Sequence, residues 1–246
     1  MLFRSEIVAS GSSQQSPAIS LDANFAGVDL LKNYTTPASY GDLIKTLSAT
    51  GVLDVLVDQG NVKVGDALAK ALIDAGMLHA LPNANVSLVY QPTSINDPYA
   101  HLNTSLKDMA ALGVNSVDYS AVDQNKVYVD LGLPVNDLNA LNDVKALLST
   151  LESQNTSNAV FSNAKPTALV ISDKLIDSIS HNNAIDTAII DGLLKLGITE
   201  IDVLLDANVS NVHLPPQSGT IAGSVTVNYI GSEDPLYDFL HKHPTL

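Results

Sequence analysis

No cysteine and no tryptophan occur among the 246 residues of this chain, and only 5% of them are aromatic. Without cysteine there is no disulfide, no thiolate nucleophile and no Cys-based zinc or iron–sulfur centre. With so few rings, a chain that is 46% hydrophobic must build its core from Val, Leu, Ile and Ala. Basic residues are scarce too: 12 Lys and Arg stand against 26 Asp and Glu, a formal charge of −14. Arg4 is the single arginine, and 22 of the acids are Asp. So acidic a chain repels phosphate backbones and anionic membrane surfaces, which argues against nucleic acid and lipid headgroups as partners. No apolar run reaches the roughly 18 residues that span a bilayer, so no membrane insertion is expected. The start, MLFRSEIVASGSSQQSP, lacks the apolar stretch of a Sec signal peptide. Its tetrapeptide Leu2–Ser5 is also what one reading frame of a common sequencing adapter encodes. We therefore expect Met1–Ser5 to be non-native and the chain to be a fragment of a longer protein.

What is present is repetition. Aligned on a glycine, the chain reads Gly51-Val52-Leu53-Asp54-Val55, then Gly113-Val114-Asn115-Ser116-Val117-Asp118, then Gly197-Ile198-Thr199-Glu200-Ile201-Asp202. An Asp-rich turn follows each: Asp58-Gln59-Gly60-Asn61, Asp123-Gln124-Asn125 and Asp206-Ala207-Asn208. Each turn leads to an alternating segment, Val62–Val64, Val127–Val129 or Val212–Leu214. A truncated copy opens the chain, where LDANFAGVDL (21–30) mirrors LDANVSNVHL (205–214).

Upstream of each aligned glycine the apolar residues recur with helical spacing, over 39–49, 99–112 and 184–196. Such a one-sided stripe predicts helices packed on a sheet. The three glycines then fall where a helix ends in a left-handed residue, and the branched residues after them predict strands. Two more helices are expected over 65–80 and 136–152, further strands over 86–90, 167–172 and 221–229, and a short tail helix over 234–241. The fold class is α/β, with irregular helix–Gly–strand–turn–strand repeats and helices packed on a mixed β-sheet. Some strands joined by the Asp/Asn turns are candidates for hairpins. Polar clusters at 91–98 and 153–166 mark the boundaries. They divide the chain into the end of an upstream repeat (1–33), repeat 1 (34–98), repeat 2 (99–166) and repeat 3 with its C-terminal strand and helix (167–246).

Catalytic motifs are missing. There is no G-x-S-x-G elbow, no phosphate-binding glycine loop and no zincin pair among the six His. His241-Lys242-His243 reads as an exposed polar end rather than a metal site. The most chemical feature is the set of turns. Asp22, Asn24, Asp58, Asn61, Asp123, Asn125, Asp206 and Asn208 offer side-chain oxygens of the kind hard Ca²⁺ takes, and Asp22-x-Asn24 and Asp206-x-Asn208 have the alternate spacing that puts two of them on one side of a turn. Asp and Asn also close turns by bonding their own backbone, and that is the stronger reading. Asp54, Asp118 and Asp202, in the strand phrases, are expected to face solvent from an edge or strand end. The eight tyrosines are scattered; two or three meeting on one face would suit a carbohydrate.

The phrases MAALGVNSVDYSAVDQNKVYVDLG, LAKALIDAGMLHALPNANVSL and LLKLGITEIDVLLDAN resemble the degenerate α/β repeat regions of large secreted RTX-type bacterial adhesins and related calcium-dependent surface proteins. The resemblance spans roughly 15–230. Lacking the glycine-rich calcium nonapeptide, the chain takes over no site residue from that family. The resemblance implies export in one step to the cell surface or beyond, and a role as a spacer or adhesive module. The expected function is a non-enzymatic structural or adhesive repeat segment whose partners are neighbouring repeats of the same chain and a surface glycan or matrix. A carbohydrate- or matrix-polymer-binding module and a hydrolase using a carboxylate pair are the alternatives. No catalytic residue or organic cofactor is expected, with Ca²⁺ the one candidate ligand.

Overall fold

The computed structural model describes residues 19–22, 37–49, 52–57, 61–80, 85–90, 99–120, 122–133, 140–155, 159–161, 165–182, 184–205 and 225–241. In its first half the order is β1 (Ile19–Asp22), α1 (Pro37–Ala49), β2 (Val52–Val57), β3 (Asn61–Gly65), α2 (Asp66–Asp74), β4 (Leu78–Ala80), β5 (Asn85–Val89), β6 (Ala100–His101), α3 (Leu106–Leu112), β7 (Val114–Asp118) and β8 (Val127–Asp130). Next come α4 (Ala140–Gln154), β9 (Thr167–Ser172), α5 (Asp173–Ser178), β10 (Ser180–His181), β11 (Ala184–Ile185), α6 (Thr187–Leu196), β12 (Glu200–Leu204), β13 (Thr226–Ile230) and α7 (Pro235–His241).

The strands form three parallel sheets, ordered β1-β2-β4, β3-β5-β7 and β13-β12-β9-β8-β6. The two strands of one unit fall in different sheets: β2 pairs with β1 and β4, while β3 pairs with β5. Likewise β7 joins β5, and β8 joins β6 and β9. Each helix–strand–turn–strand unit thus makes one coil, and its strands pair with those of the coils before and after it. Two backbone bonds carry the second sheet onward, Val117 N to Val160 O (3.0 Å) and Phe161 N to Leu196 O (2.9 Å). Helical crossovers are what parallel strands require. Strands buried on both faces read as continuous apolar runs, as Thr167–Ile171 does in β9.

The α/β architecture with helices packed on sheets is as the sequence reads. Where both flanking strands are described the turns make no hairpin: β2 and β3, like β7 and β8, lie in different sheets, and among the described residues only β10 and β11 pair antiparallel. Gly113 (φ 66°) and Gly197 (φ 86°) are the expected left-handed caps; Gly51 lies outside the described residues. Two helix starts move inward, those of α3 and α6. Residues 99–105 hold β6 and a capping box in which Ser105 and Asp108 satisfy each other's backbone N–H. Residues 184–186 hold β11 and the N-cap Asp186. The helix expected over 65–80 stops near Ala75, where Gly76 (φ 66°) turns the chain into β4. The repeat phrase offered no signal for α5 or the β10–β11 hairpin.

The main core lies between helices and sheets and runs from Tyr40 and Leu43 through Leu106, Met109 and Leu148 to Ile201 and Val227. A second, smaller core sits on the opposite face of the five-stranded sheet. There α7 lays Leu240, with Leu236, Tyr237 and Phe239, over Tyr128, Ala168, Val170, Leu204 and Ile230. Among the described residues no helix is long and apolar enough to cross a membrane.

Candidate functional site

Strand alternation sends every second residue of β6, β8, β9, β12 and β13 to the face under α7. Parallel register aligns them in rows: His101, Tyr128, Ala168, Glu200 and Thr226, then Asp130, Val170, Asp202 and Asn228. This outer face gathers the densest polar chemistry of the described residues, in two groups.

The first group is built on Lys126, just before β8. Its ammonium bonds Glu200 Oε2 and lies 3.3 Å from Asp202 Oδ2, while Asn228 Nδ2 donates to Asp202 Oδ1 (2.7 Å) and Glu200 Oε2 (3.3 Å). Lys126 Nζ also stands 5.6 Å from the centre of the Tyr128 ring. Burial, ahead of the opposing bonds from Asn228 and Lys126, holds the Asp202 carboxyl above its ordinary range. Burial also pulls on the Lys126 ammonium, but its bonds to Glu200 and Asp202 together outweigh it and hold the ammonium higher than usual. The Tyr128 hydroxyl is pushed up, first by burial and then by the charge of Asp202. Asp202 was expected to face solvent and instead is 1% exposed. The reason is topological: β12 is not an edge but lies between β9 and β13.

The second group is a buried pair. His101 Nε2 lies 3.2 Å from Asp130 Oδ1, and His101 Nδ1 lies 2.8 Å from the carbonyl oxygen of Leu102. Aromatic side chains close over it: Phe239 of α7 is 6.4 Å from the His101 ring and 5.2 Å from Tyr99, and Tyr99 meets Tyr128 edge-on at 6.1 Å. Tyr237 stacks on His241 at 5.3 Å. In a chain so poor in rings, this is a concentration.

Of the residues singled out for calcium, the four that are described fall in three places. Asp123 and Asn125 are exposed in the turn between β7 and β8. Asp22 ends β1 and Asn61 begins β3, in different sheets. Asn24, Asp58, Asp206 and Asn208 lie outside the described residues, as does the segment 1–18. Among the described residues no three His, Asp or Glu side chains gather as metal ligands. Asp118 does what a turn aspartate is expected to do: it accepts bonds from the Ser120 hydroxyl and backbone N–H, and these lower its carboxyl below the ordinary range.

Two features were open to sequence reading and passed over. Glu200-Ile201-Asp202 alternates, so both carboxylates share a face. Asp66, fully buried at the start of α2, follows β3 directly and accepts four bonds, from the backbone N–H and side chain of Asn103 and of Thr104. The partnership of His101 with Asp130, 29 residues apart, depends on the stacking of β6 on β8 and has no local signature. Compared with known proteins, the chain matches no family model, no curated protein and no solved structure.

Proposed function

We propose that this chain is a non-enzymatic structural or adhesive repeat segment of a large extracellular bacterial surface or matrix protein. Strand pairing supports the reading: the strands of one helix–strand–turn–strand unit lie in different sheets, β2 apart from β3 and β7 apart from β8, and each bonds in parallel to strands of the adjoining coils. Coils of this kind bury their faces only against one another, so stability builds from neighbour to neighbour, and adjoining repeats are the natural partners. The carboxylates of the outer face fit this role. Both Asp202 oxygens and Glu200 Oε2 are bonded to Lys126 or Asn228, which ties three strands together instead of leaving an acid–base pair open to a substrate. The net charge of −14 keeps such an array soluble. Export in one step to the cell surface goes with this reading.

The test is stepwise removal of coils from either end, followed by urea unfolding. An array loses stability in increments while the remaining coils stay folded. A hydrolase survey accompanies it, and turnover abolished by Glu200→Gln would replace the structural reading with an enzymatic one.

Half-buried Tyr99 and Tyr237, at the rim of the second core, support a second reading, a module that binds carbohydrate or matrix polymer. Saturable binding on a glycan array, weakened by Tyr237→Ala, would establish it. A blank array leaves the spacer role.

A further inference from the structure

Lys126, Asp202 and Asn228 bring an amine, a carboxyl and an amide together on the outer face. Asp202 bridges the other two: Oδ2 lies 3.3 Å from Lys126 Nζ, and Oδ1 accepts from Asn228 Nδ2 at 2.7 Å. Glu200 Oε2 touches both nitrogens as well, bonding Nζ and lying 3.3 Å from Nδ2. Nζ and Nδ2 therefore meet at one oxygen, and Asn228 Cγ is one covalent bond beyond Nδ2. The Tyr128 ring, 5.6 Å from Nζ, covers a further side. Asp202 is 1% exposed, so the carboxyl between the two nitrogens is shut off from water.

We propose that Lys126 and Asn228 join spontaneously in a side-chain amide, Nζ to Cγ, with Asp202 and Glu200 moving the protons and ammonia leaving. The ammonium first gives a proton to Asp202 Oδ2. The freed lone pair attacks Cγ, the carbonyl electron pair moves onto Asn228 Oδ1, and a tetrahedral centre forms. Glu200 Oε2 takes a second proton from Nζ and hands it to Nδ2. The oxyanion then re-forms the carbonyl, the Cγ–Nδ2 bond breaks and ammonia departs. Nothing is oxidised or reduced, no co-reactant is consumed, and Asp202 keeps the first proton.

The surroundings favour that end state. Burial holds the Asp202 carboxyl above its ordinary range, so a neutral Asp202 suits its site once the cation is gone. Before the step the pair is charged: the bonds to Glu200 and Asp202 hold the Lys126 ammonium higher than usual against the pull of burial. Attack waits on the minor form in which the proton has crossed to Asp202, so the amide forms on standing and freshly prepared protein carries the ion pair. Proximity offsets the scarcity of that form, since groups held together react as if at very high concentration. Once made, the amide closes 126–228 into a covalent loop and ties the start of β8 to β13 across β9 and β12. The chemistry depends on these side chains and not on the role of the array.

The test is the intact mass of the whole chain under denaturing conditions, fresh and after several days at physiological temperature. The parent should become lighter by one ammonia, and trypsin should then release a branched peptide joining Lys126 to Asn228. Lys126→Arg keeps the cation but offers no amine, and its mass should not change. Asp202→Asn should form the link at least about a hundredfold more slowly, the low end of what proton transfer by a positioned side chain contributes. The branched peptide is read on the parent alone, so the result does not hang on any variant folding. An unchanged parent mass overturns the proposal. So does an ammonia loss confined to a linear peptide, which is succinimide formation, or a loss of water that links Lys126 to Asp202. Asp202→Asn reacting as fast as the parent overturns it too.

Discussion

Lys126 and Asp202, 76 residues apart in sequence, meet on the outer face of the five-stranded sheet with Nζ 3.3 Å from Oδ2. The lysine precedes β8 and the aspartate sits mid-way along β12, so the contact spans β9 and joins two coils. Burial holds the Asp202 carboxyl high, and a carboxyl held high in the folded state gives stability in acid that fades as pH rises through its folded value. Asp202→Asn removes that dependence and keeps an oxygen for Asn228. Its unfolding free energy at neutral pH should be unchanged or raised by up to about 1 kcal/mol. Lys126→Met strips the cation from a buried carboxylate and should lower it by about 1–3 kcal/mol, less than for a fully buried pair because the lysine side chain is 25% exposed. Urea titrations of the two variants at neutral and mildly acidic pH check both signs.

Gly197 stands at a second junction between coils. A Cβ there would lie 2.2 Å from the carbonyl oxygen of Phe161, whose own N–H bonds Leu196 O. Gly76 has a similar left-handed φ but nothing within 4 Å of its missing Cβ. Gly76→Ala should cost about 1 kcal/mol, the conformational penalty alone. Gly197→Ala bears the same strain and a backbone collision as well, so its loss should be at least twice as large. Thermal melts of the two variants side by side make the comparison, and equal losses would mean that the Phe161 contact yields freely.

The legible part of this fold was the part encoded locally. Gly113 and Gly197 announced helix ends because a left-handed residue favours glycine wherever it occurs. Apolar periodicity placed α1, α4 and α6 because the same stripe faces the core. Hidden from such reading was which strand lies beside which. The residues after Asp123-Gln124-Asn125 read as the return arm of a hairpin, yet Val127–Asp130 bonds to Ala100–His101 and Thr167–Val170 instead. Asp202 was misplaced for the same reason, since a strand's status as edge or interior is set by chain segments far away. His101 was absorbed into a helical pattern that began too early, because Leu102 and Leu106 keep helical spacing across the Ser105 cap.

Calcium can be tested apart from everything else. If the Asp/Asn turns serve the backbone, the melting temperature in EDTA should match that in millimolar Ca²⁺, and Asp123→Ala and Asn125→Ala should each change stability by no more than about 0.5 kcal/mol. A rise in melting temperature on adding Ca²⁺, lost in either variant, would establish a site.

Asn115 gives the sharpest test of the stacked coils, because it does with a side chain what a sheet does with its backbone. Where the register between β5 and β7 shifts between Val86 and Ser87, Asn115 Oδ1 accepts from Val86 N at 3.2 Å. Its Nδ2 donates to Gln154 O, the last residue of α4, at 3.1 Å. One amide thus joins the strand of the coil before it to the helix of the coil after it. Asn115→Ala deprives a backbone N–H and a backbone carbonyl of these partners at once, which should cost about 1–3 kcal/mol. The loss should also be local: exchange of the Val86 amide should quicken while amides in β12 and β13 keep their protection, since coils that interact only with their neighbours transmit damage no farther. Exchange that quickened equally from β5 to β13 would instead mark the chain as one cooperative unit.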